Sequence, residues 1–258
     1  MTKVKLTVAY DGTDFTGFQI QEGFRTVQAE LDRILSHTFG CNLQVVGASR
    51  TDAGVHAVGQ VVHVEIDKQV RIPIEQWDYV LRYRMPRDLM VTEVLPVSED
   101  FHARHSARNK VYRYTVSAVR KPAIFTARFV AHVPYALDVD AMREAALALL
   151  GEHDFTSFCT ARAQQPTKVR TIRSLMITET PDHQIVFEVE GNGFLHNMVR
   201  IMVGTLIEMG RHQMCSKDMG TILEMRDRRR AGPTAPPHGL CLCRIDYPHD
   251  LTLPKAVR

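Results

Sequence analysis

The chain has 258 residues, 45% hydrophobic and 24% charged, which is ordinary for a soluble globular protein with one large core or two modest ones. No stretch approaches a membrane span, and the N-terminal MTKVKLTVAYDG lacks the apolar region and cleavage site of a signal peptide. The five cysteines are scattered, with no CxxC pair and no HExxH helix, so the composition points to a cytoplasmic, reduced chain without a metal site. The net charge of +3 is unevenly spread. Residues 1–105 carry 11 Lys and Arg against 14 Asp and Glu, leaving 21 against 15 for the remainder. A basic second half fits a polyanionic partner, although its RDRRR run at 226–230 also suits a helix C-terminus.

In chain order, KVKLTVAY (3–10) predicts a strand, and a helix opens near Thr26 in TVQAELDRILSHTF. Strands at 43–46 and 61–66 flank the stretch GASRTDAGVHAVGQ. A helix around 74–84 and a strand at 90–97 complete β-α-β-β-α-β. After SEDFHARHSARNK the order starts again: a strand at 111–118, a helix from Asp138 to Leu150, and two strands, TIRSLMITET and QIVFEVEG. A long helix (194–209) and the strand GLCLCRIDY close the chain. The same split βαβ order occurring twice predicts an α/β (α+β) protein of two ferredoxin-like βαββαβ domains, 1–105 and 106–258. Their antiparallel sheets are expected side by side, forming a central cleft.

Three stretches carry chemistry. Arg50, Thr51 and Asp52 stand between two strands, where a solvent turn would already explain an Asp near a Gly. The helix GFLHNMVRIMVGTLIEMGR is apolar almost all round, with Arg200 at its centre. Arg200 either shares a solvated stripe with Glu208 or reaches a carboxylate, for which Asp52 is a candidate, because a buried guanidinium is costly without one. In NKVYRYTV, strand alternation places Tyr112 and Tyr114 on one face and Arg113 on the other. That face is core, or it offers a ring to a base and a hydroxyl for proton transfer.

The stretch RTDAGVHA closely resembles the signature of the tRNA pseudouridine synthase A family. So do YDGTDFTGFQ, TVQAELDRIL, FHARHSARNKVYRY, GEHDFTSF, GFLHNMVRIMVGTLIEMG and AGPTAPPHGLCL, in order along the chain. The resemblance implies a cytoplasmic, homodimeric isomerase without cofactor or metal. It would convert uridine to pseudouridine at positions 38, 39 and 40, in the anticodon stem-loop of tRNA. It makes Asp52 the catalytic aspartate and nucleophile and Tyr112 the substrate-contacting tyrosine with a role in proton transfer. Arg50 would help open the stacked nucleotide, and Arg200 would pair with Asp52. Phe18 replaces the usual Trp, Ser49 a frequent Gly, and Arg82 and Arg84 stand in a segment expected to be less basic.

The reaction breaks C1′–N1, turns the bound uracil and forms C1′–C5, with no redox step and no energy input. A carboxylate serves as nucleophile at C1′, as in retaining glycosidases, or as a base on a sugar proton, and attack at C6 of the base is a third route. The uracil must first leave its stack. Two other classes compete. AYDGTD is similar to a phosphoaspartate loop, but Ala9 stands where the attacking Asp belongs. Duplicated βαββαβ domains also bind RNA without catalysis.

Overall fold

The computed structural model describes residues 2–67, 70–121, 123–160 and 167–252. The chain divides into two compact units, Met1–Asn109 with Leu242–Arg258, and Lys110–Cys241.

In the first unit, β1 (Thr2–Tyr10) buries every second residue, with Val4, Leu6 and Val8 inside. It pairs antiparallel with β3 (His56–Ile66) on one side and β4 (Leu89–Val97) on the other. The short β2 (Val45–Gly47) adds to β3, Val45 opposite Val64, so these strands run β4-β1-β3-β2. One face is covered by α1 (Val27–Phe39). The Thr26 hydroxyl accepts the Ala29 N–H at its start, and Gly40 ends it in the left-handed region at φ 69°. Its buried residues Val27, Leu31, Ile34, Leu35 and Phe39 follow helical spacing. The second helix is shorter than expected: a 3-10 turn at Ile74–Gln76 leads into α2 (Trp77–Arg82), whose Trp77 stacks on Phe39 at 4.2 Å.

The second unit starts with β5 (Asn109–Ser117), flanked by the two-residue β6 (Ala131–His132) running parallel to it. Asp138 caps α3 (Val139–Leu147) through the Ala141 N–H, and Gly151, at φ 96°, opens β7 (Gly151–Asp154). β8 (Val169–Glu179) and β9 (Gln184–Gly191) form the expected hairpin, giving the strand order β5-β9-β8-β7. Two helices follow, α4 (Met198–Gly210) and α5 (Met219–Met225). α4 begins four residues later than the apolar pattern predicts, because Asn197 sits in the left-handed region at φ 61°. Between Met198 and Gly210 only Arg200 and Glu208 escape burial.

The division corrects the expected domain limits at the C-terminal end. Strand β10 (Leu240–Asp246) and α6 (His249–Thr252) follow the second unit in sequence, yet from Leu242 onward they pack with the first. The reasons are specific contacts. Gly59 of β3 lies so close to the Cys243 carbonyl that a Cβ would collide with it. Arg108 N–H donates to Asp246 O, Tyr247 OH to Ala103 O at 2.7 Å, and Ser98 N–H to Leu251 O. Along β10 the half-buried Cys241 and Cys243 alternate with the buried Leu240 and Leu242. No described helix is long and apolar enough to cross a membrane.

Candidate active site

The loop between β2 and β3 carries Arg50 and Asp52, and it is held from both sides. Ala48 N–H donates to Val61 O, extending the β2–β3 pairing by one residue. The fully buried Gln60 of β3 then grips both main-chain groups of Ser49. Its Oε1 accepts the Ser49 N–H at 3.2 Å, and its Nε2 donates to the Ser49 carbonyl at 2.8 Å. The same Nε2 lies 3.4 Å from the Tyr10 hydroxyl, which is 2.7 Å from Thr51 Oγ1 in buried surroundings. Side chains alternate along the loop, with Ser49 and Thr51 buried, Arg50 exposed and Asp52 half-buried. A tight turn follows, Val55 N–H donating to Asp52 O, with Gly54 at φ 76°.

The stretch YDGTDFTGFQ wraps this loop. Phe18 N–H donates to Thr51 O, and Gly54 N–H to Phe15 O. Gly17, at φ 85°, leaves no room for a side chain, since a Cβ would lie 2.9 Å from Thr51 O; a Cβ on Gly12 would strike Val55 O. Gly12 N–H also donates to His56 Nδ1 at 2.9 Å. Asp11 Oδ1 lies 3.2 Å from that nitrogen and also accepts from the Thr13 amide and hydroxyl. The two sequence motifs are therefore one structural object, a clamp around residues 49–55.

In the second unit, β5 places Tyr112 and Tyr114 on the buried face, as alternation predicts, while Arg113 is exposed and paired with Glu188 at 2.9 Å. Tyr112 meets Phe194 edge-to-face, centroids 5.1 Å apart. Tyr114 is fully buried and its hydroxyl donates to Pro236 O at 2.8 Å; burial pushes the phenol above its ordinary range, with Arg200 acting in the opposite direction.

Arg200, half-buried on α4, is held by a loop and by the N-cap of its own helix. Its Nε donates to Ala235 O at 2.8 Å and its Nη1 to Asn197 Oδ1 at 2.7 Å, while its own carbonyl accepts the Ala235 N–H. The loop approaches α4 closely: a Cβ on Gly204 would collide with Pro233 O, and Gly232 N–H donates to Thr205 Oγ1. Glu208, the other half-buried residue of α4, pairs with Arg211 at 2.8 Å. AGPTAPPHG is thus the brace of Arg200 and Tyr114.

Sequence reasoning singled out Asp52, Arg50, Tyr112 and Arg200 as candidates and passed over Tyr10 and Gln60, which hold the loop that carries Asp52, and Asn197, which holds Arg200. The signal was available: a Gln inside an otherwise apolar strand and an Asn before an apolar helix both need partners once buried. Of the unusual positions, Phe18 is buried where a Cβ on Gly47 would enter its ring, and Arg82 pairs with Asp78 one helical turn away. A second basic stretch of the sequence, residues 162–173, lies outside the described residues up to residue 166. Among the described residues no group of three or more His, Cys, Asp or Glu is arranged to hold a metal ion.

A family model described as tRNA pseudouridine synthase matches residues 6–106 and 145–248. The chain belongs to that family. It is 46% identical over 241 residues to the tRNA pseudouridine synthase A of Halalkalibacterium halodurans, covering 93% of this chain and 90% of that one. To the protein of the same name from Anoxybacillus flavithermus it is 46% identical over 248 residues, covering 96% and 99%. To that of Bacillus subtilis it is 44% identical over 247 residues, covering 95% and 99%. As a pseudouridine synthase the protein is an isomerase acting on tRNA. The two matched segments of this tRNA pseudouridine synthase contain the Asp52 clamp and the Arg200 brace; Tyr112 lies between them.

Proposed function

We propose that this tRNA pseudouridine synthase isomerises uridine in the anticodon stem-loop, at positions 38, 39 and 40, with Asp52 as nucleophile. The observation that supports the reading is the Asp52 loop itself. Its main chain is anchored at Ser49, Thr51, Asp52 and Gly54, while the Asp52 side chain stays half-buried and Arg50 is exposed beside it. A solvent turn needs no such anchoring; a carboxylate that must meet one carbon atom does.

In this reading Arg50 helps the target uridine leave its stack, and the Tyr112 ring receives the uracil. The Asp52 carboxylate attacks C1′, and the C1′–N1 electron pair departs with the uracil. The base turns, C5 forms its bond to C1′ and displaces the carboxylate, N1 takes a proton, and C5 gives one up. The Tyr112 hydroxyl receives or relays that C5 proton. Arg200 pairs with Asp52 and aims its carboxylate. Action of Asp52 as a base on the sugar, or attack at C6, would use the same carboxylate. The family resemblance adds a cytoplasmic homodimer working without cofactor.

Incubation with unmodified tRNA, without ATP or added metal, followed by mapping of pseudouridine, tests this. Wild type should modify the three positions. Asp52→Asn should bind tRNA and form none. Substantial turnover by Asp52→Asn would sink the assignment, and tRNA binding without any product from wild type would favour an RNA-binding protein.

A further inference from the structure

The second unit contains cations that the Asp52 chemistry does not use. Cys159, buried, ends the turn Thr156–Phe158 after β7, and this turn packs against the turn Arg228–Arg230. Phe155 N–H beside it donates to Lys168 O at 3.0 Å, and Arg170 stands opposite His153 of β7, so Lys168, Arg170 and Arg228 are all brought near the thiol. All three side chains are half-buried. Arg170 engages Nη1 with two carbonyls of its own strand start, Thr167 O and Val169 O. Beside its Nε stands Gly193, which puts no side chain over it. Arg228 uses Nη1 on Ala231 O and Nη2 on Thr234 Oγ1, each at 3.2 Å.

No carboxylate faces either guanidinium among the described residues. Asp154, also near Cys159, is occupied by the amide and hydroxyl of Thr156 and by Arg226 at 3.3 Å. The flanking arginines of RDRRR differ sharply. Arg226 is the left-handed C-cap of α5 and takes Asp154, and Arg229 is locked on Asp227 at 2.7 Å. Arg228, by contrast, is bonded to a carbonyl and a hydroxyl and to no carboxylate among the described residues. Burial alone pushes Arg170 and Arg228 below their ordinary values, the cost of desolvating a charge without an ionic partner.

We propose that Arg170, Arg228 and Lys168, gathered about Cys159, form a seat for one or two backbone phosphates of the RNA. The chemistry fits. A phosphodiester is a permanent anion whose oxygens take forked guanidinium donors, and it supplies the counter-charge that the second unit does not. The seat is open enough to be reached and dry enough to reward the contact. It rests on the reading of the protein as a tRNA-modifying enzyme, and it selects Arg228 rather than the whole RDRRR run.

The test is the salt dependence of binding to an unmodified tRNA transcript, with wild-type product formation measured separately so that failure of the functional reading shows itself independently. Arg170→Gln and Arg228→Gln should each lower the log–log salt slope by about 0.7–0.9 for every phosphate no longer held, and the double variant by about twice that. Arg229→Gln, whose charge is already paired, should leave the slope in place. Arg170→Lys and Arg228→Lys should keep most of it. If a Gln variant does not fold, Lys168→Gln, which braces no loop among the described residues, carries the same expectation. Wild-type slopes in folded Arg170→Gln, Arg228→Gln and Lys168→Gln proteins would overturn the proposal. So would an equal drop in Arg229→Gln, which would mean diffuse attraction without a seat.

Discussion

Replacing Gln60 by Leu keeps the size of a fully buried side chain and removes its amide. In the wild type that amide satisfies the Ser49 N–H and the Ser49 carbonyl, at 3.2 and 2.8 Å, and reaches the Tyr10 hydroxyl. Leu leaves both Ser49 groups without their partner in a buried place. Each orphaned group costs about 1–3 kcal/mol, and the apolar side chain recovers part of this, so the loss should be about 2–4 kcal/mol. The chain has a single tryptophan, Trp77, buried in the first unit, so its fluorescence during urea unfolding reports on the unit that holds Gln60. The kinetic consequence is separable. Ser49 lies three residues before Asp52, so a loosened loop should lower kcat at least about tenfold while KM, set by contacts across the RNA, changes little. A Gln60→Leu protein with the wild-type urea midpoint and wild-type kcat would refute the clamp.

Tyr112→Phe keeps the ring and its edge contact with Phe194, so tRNA affinity should hold while turnover falls about 10²-fold; equal turnover would show that the C5 proton leaves by another path. Asp32 on α1 accepts the Val45 N–H at 2.7 Å, and burial raises its carboxyl from the ordinary 3.8 to about 6. The folded state therefore holds this proton longer than the unfolded chain, and stability drains away as pH rises from about 4 to about 6, by an upper bound of about 3 kcal/mol. Asp32→Asn keeps the acceptor and removes the charge, so it should raise the melting temperature at pH 8 and leave it nearly unchanged at pH 4. A lower melting temperature at pH 8 would mean that the ionised hydrogen bond outweighs desolvation.

The type of each main element was readable because each helix and strand states its period locally: Leu31, Ile34 and Leu35 on α1, or Val4, Leu6 and Val8 on β1. The Asp52 motif stood out for a similar reason, since charged residues inside a strand–turn–strand need explaining. What sequence reasoning misplaced depends on backbone geometry or distant contact. α4 starts late because of one positive φ at Asn197, and nothing in an apolar run reveals a dihedral angle. Gln60 and Tyr10 are 50 residues apart, and only the fold brings them together. The assignment of the last strand failed for the same reason: its pattern says that it is a strand and cannot say beside which partner it lies.

That last strand also constrains the order of assembly. The first unit is interrupted in sequence by all of Lys110–Cys241, and its contacts to Asp246, Tyr247 and Leu251 close that long excursion. During synthesis the first unit must wait, incomplete, while the whole second unit emerges and is free to fold. Closing so long a loop is far cheaper when the intervening chain is already compact than when it is a random coil. Completion of the first unit is thus eased by prior folding of the second, and a lesion confined to residues 110–241 should surface as slower closure of the first unit.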